Sequence, residues 1–175
     1  MTLQETRIVT VRATLVGSLD AMDAGGTALR WARHLFPVRQ TEKTGWRVVL
    51  ELLDALDAEA TPEPHRAKAL LAVAGLRLLT SVGYALDLER CVVCHRACPP
   101  GVPAFVQASR GGIVCQSCGG GGRLLDPRAR ELAARVQRDG ASLPSAELPT
   151  AAQAGALVGL VTDSMAAHAG LDPSK

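Results

Sequence analysis

Five cysteines carry the clearest chemistry in this 175-residue sequence. Four of them form two Cys-x-x-Cys pairs, Cys91 with Cys94 and Cys115 with Cys118. Each pair places two thiols on one tight turn, which is the spacing that a tetrahedral Zn²⁺ requires. The pattern therefore predicts one zinc ion held by these four side chains. Such a site is structural, because four thiolates leave no coordination position for a substrate or a reactive water.

Disulfide bonds and a redox-active Cys-x-x-Cys are the alternatives to zinc. No basic segment followed by an apolar one opens the sequence, so a secretory signal is not visible, and the cysteine count is odd. A redox site needs one such pair rather than two matched pairs. The fifth cysteine, Cys98, and the nearby His95 could each replace a ligand, but neither completes a pair. We expect a free thiol and a loop histidine.

Candidate catalytic groups are sparse. His34, His65 and His168 are isolated in the sequence, and Asp163 lies off the helix face of His168. The run Gly119–Gly122 is not followed by Lys and Ser or Thr, so it does not match a phosphate-binding loop. Because no nucleophile is paired with a base, we expect that the protein is not an enzyme.

Positive charge is concentrated around the cysteines. Residues 90–138 contain eight arginines and two acids, a net charge of +6, whereas the whole chain carries +2. Guanidinium groups bind phosphates and carboxylates through paired hydrogen bonds, so this window is expected to face an anion, with a plain solvated surface as the alternative. Aromatic residues make up only 3%, which excludes a base-stacking platform and favours phosphate contacts. The expected contacts are Arg90, Arg96, Arg110, Arg123, Arg128, Arg135 and Arg138.

The elements that position these residues are predicted to be mainly α-helical. Apolar periodicity and capping residues predict a helical bundle in a single domain over residues 1–175, with the zinc ribbon inserted at 89–124. The helices are expected at 18–36, 45–58, from Thr61-Pro62 to about Ser81, from Asp126-Pro127 onward, and at 151–169. The third helix is apolar nearly all round, which is typical of a central buried helix.

Four local features complete this prediction. Residues 7–16 are rich in β-branched side chains and favour an extended segment or strand. The pair Gly25-Gly26 is expected to be a weak point in the first helix, and Asp54 and Asp57 a solvated helix edge. The longest uncharged run, residues 148–162, is shorter than the roughly 18–20 apolar residues of a membrane span. We therefore expect no membrane association and a cytoplasmic location.

Residues 76–94 resemble the RecO family of bacterial recombination mediators. In both, a leucine-rich helix ends at Gly83-Tyr84 and a short link from Leu86-Asp87 leads into the first cysteine pair. The second pair, preceded by Gly111–Val114, and the closing helix with Ala167–Leu171 are similar to the same family. The specific part of the resemblance is residues 76–118.

This resemblance implies a DNA repair and recombination role. The family usually begins with an OB-fold barrel of about 80 residues, and this chain looks like the C-terminal helical and zinc part alone. The implied activities are DNA binding, strand annealing and recombinase loading in the RecFOR pathway. The implied partners are RecR and the tail of single-strand-binding protein, and the implied location is the nucleoid. Two alternatives stay open: a truncated RecO limited to protein contacts, and a zinc-ribbon adaptor that binds protein and has no DNA role.

Overall fold

In the computed structural model, described for residues 7–36, 42–58, 64–140 and 147–171, helices predominate and a small sheet interrupts them, as predicted. Within these ranges, three α-helices are followed by four strands and then by two more α-helices. The helices are α1 (Leu19–Leu35), α2 (Lys43–Asp57), α3 (Pro64–Ser81), α4 (Pro127–Asp139) and α5 (Ala151–Ala169). The strands are β1 (Asp87–Cys91), β2 (Ala104–Gln107), β3 (Gly112–Ile113) and β4 (Arg123–Leu125).

Side-chain caps fix where the helices begin. The Ser18 hydroxyl accepts a hydrogen bond from the backbone of Ala21 at the start of α1, and Asp126 accepts one from Ala129 at the start of α4. In α5, Thr150 and Gln153 cap each other's backbone N–H groups reciprocally. The caps at Asp126 and Pro127 were predicted. The predicted Thr61-Pro62 start of α3 lies outside the described residues.

Helix α3 is the central helix of the bundle, as its apolar sequence predicted. It contacts α1, α2, α4 and α5. Its leucines and alanines are buried on every side, and Gly75 lies where α3 meets Trp31 of α1 and Val161 of α5. Helix α1 runs unbroken through Gly25-Gly26. Gly25 packs against Leu53 of α2, and this tertiary contact outweighs the low helix propensity of glycine.

The four strands form one sheet in the order β1-β3-β2-β4. β1 and β3 are parallel, and the other neighbours are antiparallel. The register slips between β1 and β3 where Gly112 lies against Asp87; a Cβ at Gly112 would meet the Asp87 carbonyl. Side chains of all four strands join the same apolar core as the helices: Leu88, Ala104, Val106, Ile113 and Leu125.

Residues 7–16, predicted to be an extended segment or a strand, form no strand. Residues 7–12 are irregular and a short 3-10 turn covers Leu15–Gly17. β-branched residues form a strand only beside a partner strand, and no described strand lies next to them. Instead, the Arg12 guanidinium pairs with the Asp54 carboxylate at 2.7 Å, and the Leu15 backbone N–H donates to Asp57 at 2.9 Å. The two acids therefore hold this segment on α2.

None of the described helices has both the length and the apolarity that a membrane crossing needs.

Candidate metal centre and arginine surface

The structure brings the four predicted cysteine ligands together. Their Sγ atoms all lie within 4.8 Å of one another, and the Sγ atoms of Cys94 and Cys115 are 3.7 Å apart. Cys91 is buried at the end of β1, Cys94 is exposed in the turn that follows, and Cys115 and Cys118 are half-buried after β3. All five cysteines are free thiols. A cluster of four thiols on two turns suits a tetrahedral metal ion.

Backbone hydrogen bonds shape each turn around its pair. In the first turn, the His95 N–H donates to the Cys91 carbonyl at 2.8 Å, and His95 itself adopts a positive φ of 59°. In the second, the N–H groups of Cys118 and Gly120 both donate to the Cys115 carbonyl. The Cys115 N–H also reaches the Cys91 Sγ at 3.5 Å, so the two turns are joined before any ion is bound.

The thiols of this cluster differ widely in acidity. Backbone N–H groups, that of Cys115 first, lower the pKa of the Cys91 thiol to about 6. The Ser117 hydroxyl lowers the pKa of Cys115. Conversely, hydrogen bonding with the sulfurs of Cys115 and Cys94 keeps the Cys118 thiol protonated and raises its pKa to about 12. The Cys91 thiolate therefore forms readily, whereas a cation must displace the proton of Cys118.

Cys98 and His95 lie outside the sulfur cluster. Cys98 is half-buried against the core, and its backbone N–H donates to the Glu89 carbonyl at 2.7 Å. His95 is exposed in the first turn. Neither residue belongs to the group that could hold a metal ion.

Three of the seven predicted arginine contacts are paired with carboxylates. Arg123 donates to Asp163 of α5 at 2.8 and 3.2 Å, and its guanidinium packs so closely on Gly159 that a Cβ there would lie only 2.6–2.8 Å from it. The other two ion pairs are Arg135 with Glu147 at 3.0 Å and Arg138 with Glu89 at 2.9 Å. Arg123 and Arg138 thus fasten the sheet to α5 and α4.

The other four arginines are exposed. Among the described residues, no carboxylate or hydrogen-bond partner is found for their guanidinium groups. They are Arg90 at the end of β1, Arg96 in the first cysteine turn, Arg110 before β3 and Arg128 in the first turn of α4.

The sequence did not single out Arg130, the most buried of the arginines that the structure describes. It is 3% exposed and donates to the carbonyls of Leu88 at 2.8 Å, Cys98 at 3.3 Å and Pro99 at 2.6 Å. It therefore joins α4 to β1 and to the loop after the first cysteine turn. The sequence did contain one signal: Arg130 lies on α4 beside the apolar face that Ala129 and Ala133 share, which favours a buried position.

The sequence showed His168 as isolated and gave no sign of its contacts. Its Nε2 lies 2.9 Å from the Ala108 carbonyl, and its ring stacks on Tyr84 with centroids 5.3 Å apart. Each partner is far away in sequence, so spacing alone gave no signal.

Five helices, a four-strand sheet that shares their core and a cluster of four thiols on two turns define, in the described chain, a helical domain with a four-cysteine ribbon. The family described as "Recombination protein O C terminal" matches residues 16–163 of this chain, which therefore belongs to that family, as its resemblance predicted. DNA repair protein RecO of Anaeromyxobacter sp. strain K is 31% identical over 155 residues, 87% of this chain and 59% of its own. DNA repair protein RecO of Cutibacterium acnes is 35% identical over 88 residues, 50% of this chain and 35% of its own.

The chain thus spans about 59% of the length of the Anaeromyxobacter relative. No solved structure matches it.

Proposed function

We propose that this chain acts in DNA recombination and repair as a RecO-type mediator, binding DNA and protein partners rather than catalysing a reaction. The observation that carries the proposal is membership of the RecO C-terminal family over residues 16–163. The arginine-rich window beside a rigid ribbon supports a contact with phosphates. Annealing and recombinase loading in the RecFOR pathway, and association with the nucleoid, belong to the same proposal.

The proposed DNA contacts are the seven arginines predicted from the sequence. Arg90, Arg96, Arg110 and Arg128 are exposed and meet no carboxylate in the described chain, so they can bind phosphate without breaking another interaction. Arg123, Arg135 and Arg138 must first leave an ion pair. We expect the first group to account for most of the affinity and the binding to be independent of sequence.

Salt dependence tests this proposal. The chain should bind a labelled oligonucleotide at low salt, and each arginine–phosphate contact should contribute roughly 0.7–0.9 to the slope of log affinity against log salt. Arg90→Gln with Arg96→Gln should lower the slope by about 1.5. A matched control, Lys43→Gln with Arg47→Gln on α2, removes the same charge from exposed positions away from the ribbon and should leave the slope unchanged. If both variants lose the same amount of slope, the effect depends on net charge alone and not on the arginines of the ribbon.

We propose that Zn²⁺ is the ion held by Cys91, Cys94, Cys115 and Cys118. Soft thiolate ligands select zinc among the common divalent ions, and the cluster has the right number and proximity of sulfurs. Elemental analysis of protein purified under reducing conditions should give one zinc per chain. Cys115→Ser should lower that ratio, and the control Cys98→Ser should not. A parent ratio near zero would refute the assignment.

The proposed protein partners are RecR and the tail of single-strand-binding protein. An acidic peptide with an apolar end suits a cavity of about 510 Å³ that the apolar side chains of Val102, Phe105 and Leu124 line and Arg96 borders. A labelled tail peptide should bind the parent and bind Leu124→Glu more weakly, because the new carboxylate repels it. Co-sedimentation of the purified proteins tests the RecR contact.

The oligonucleotide titration and the peptide titration together distinguish the proposed function from the alternative adaptor function. A chain that binds the peptide but no oligonucleotide at low salt is a zinc-ribbon adaptor without a DNA role. The apolar lining of the cavity beside the cysteines is the observation that favours it.

A further inference from the structure

We propose that the stacked rings of Tyr84 and His168 form a binding site for one unpaired base of single-stranded DNA. This inference rests on the proposed DNA binding and adds to it a contact that is not a phosphate contact. The ring centroids lie 5.3 Å apart, and the ring planes differ by 18°. Both side chains reach solvent: Tyr84 is 38% exposed, and His168 is exposed near the end of α5. The low aromatic content excludes a platform of many rings, whereas this site needs only two.

The backbone holds both rings in place before any ligand binds. The Tyr84 N–H donates to the Leu79 carbonyl at 2.8 Å, directly after Gly83, whose φ of 85° turns the chain away from α3. The His168 Nε2 lies 2.9 Å from the Ala108 carbonyl. Because a carbonyl only accepts, Nε2 carries a proton in both charge states of the ring. The stack is therefore a fixed surface that a base does not have to order when it binds.

An unpaired base is the ligand that suits this surface. Tyr84 and His168 cover one face of each other, so the solvent-exposed part of either ring is an outer face or an edge. Every base has a π-face that can stack on such a ring, whatever its sequence. Inside a duplex, neighbouring base pairs already cover both faces of each base. The site therefore distinguishes single strands from duplexes without reading sequence.

A cation for the phosphate lies within one turn of the stack. Arg110 is exposed, meets no carboxylate in the described chain, and ends the 3-10 turn Ala108–Arg110. Such a turn rises about 2 Å per residue, so the Arg110 backbone lies close to the carbonyl that holds His168. The Arg110 side chain can therefore reach the phosphate of a nucleotide whose base lies on the stack.

An open cavity of about 650 Å³ adjoins the residues that hold the stack. Ser109 of the 3-10 turn and Ala167 of α5 both line it, and its volume suits the sugar and phosphate of a nucleotide. Asp163 also lines this cavity, but Arg123 pairs with it at 2.8 Å and neutralises its charge. A strand can therefore pass from the stack over this cavity without meeting an unpaired acid of its lining.

Titration with matched oligonucleotides tests the site. A labelled oligothymidine should bind Tyr84→Leu at least about fivefold more weakly than the parent, which is the lower end of what one stacked base contributes. Tyr84→Phe keeps the ring and should bind like the parent. Trp46→Leu removes a ring that is 47% exposed on α2, and this matched control should also bind like the parent. A Tyr84→Leu variant that binds the single strand as tightly as the parent overturns the proposal.

A duplex and a salt series separate stacking from other losses. Tyr84→Leu should bind a duplex of equal length as the parent does, and its slope of log affinity against log salt should not change, because it loses no phosphate contact. Arg110→Gln should lower that slope by roughly 0.7 for the single strand. If Tyr84→Leu loses as much affinity for the duplex as for the single strand, the ring does not contact an unpaired base.

Photochemical crosslinking locates the base on the parent protein itself. A strand in which 5-iodouracil replaces thymine should crosslink, on irradiation, to the peptide that contains Tyr84 or to the one that contains His168, as mass spectrometry identifies. If neither strand form binds the parent at low salt, the proposed DNA binding fails, and this site fails with it. If the single strand binds but neither peptide is crosslinked, only the stacking site is refuted.

Discussion

Arg130 joins the ribbon to the helices, so replacing it should be costly. Its guanidinium donates three hydrogen bonds to the carbonyls of Leu88, Cys98 and Pro99. Arg130→Met keeps much of the side-chain volume and removes every donor. The Leu88 carbonyl is then left buried and unbonded, whereas water can reach the half-buried carbonyls of Cys98 and Pro99.

The magnitude follows from these three contacts. A hydrogen bond to a charged group contributes roughly 1.5–3 kcal/mol when it is buried, and less where water replaces it. Part of the loss is offset, because the variant no longer buries a charge whose Nε donates to no atom of the described chain. We expect the free energy of unfolding to fall by about 2–3 kcal/mol, which lowers the melting temperature by roughly 4–12 °C in a chain of this length.

Urea and thermal denaturation of zinc-loaded protein measure this loss. Arg128→Met, two positions earlier on α4, removes an exposed guanidinium and should change stability by less than about 0.5 kcal/mol. Arg130→Lys keeps the charge and should fall between the two. If Arg130→Met matches Arg128→Met, the three carbonyl contacts do not stabilise the junction, and the reasoning is wrong.

Three further outcomes are expected. Gly75→Ala should destabilise the fold by about 1–3 kcal/mol in urea denaturation, because the new methyl group meets Trp31 and Val161 at 2.7–2.8 Å. A variant more stable than the parent would show that α1, α3 and α5 can shift apart to make room for the methyl group without losing stability. His168→Phe should keep the stacking on Tyr84, lose the bond to the Ala108 carbonyl, and cost about 0.5–1 kcal/mol, less than His168→Ala in the same assay. Zinc affinity, measured against a competing chelator, should fall as the pH is lowered, and more steeply below about pH 6 than above it. The plot of log affinity against pH should gain about one unit of slope there, because a proton then competes with zinc for Cys91, whose pKa is lowered to about 6. An unchanged slope across pH 6 would contradict the assignment of Cys91 as a ligand.

Local patterns predicted the helices and the cysteine cluster. Ser18, Asp126 and the apolar periods act within one or two turns, so the sequence contains their signals in full. The four sulfurs come together because each Cys-x-x-Cys turn is itself local. The clustering of the cysteines was thus predictable, and the identity of the bound ion stays a prediction.

Long-range contacts could not be predicted in the same way. The Arg123 guanidinium meets an acid forty residues away on α5, and nothing near Arg123 in sequence distinguishes it from the exposed Arg128. Residues 7–16 show the converse limit: their composition favours an extended segment or a strand, but no described strand lies beside them to complete a sheet. Charge content alone could not tell a solvent-facing arginine from one that fastens two elements.

The shared core of sheet and helices has a consequence for how the protein melts. Because Leu88, Val106 and Leu125 lie in the same buried cluster as the helical leucines, the sheet is not a separate cooperative unit. Heating should therefore give one calorimetric transition rather than two. A ligand bound only by the folded state raises the stability of the whole unit by mass action, so zinc held at one end of the sheet would raise the melting temperature of helices that never touch it.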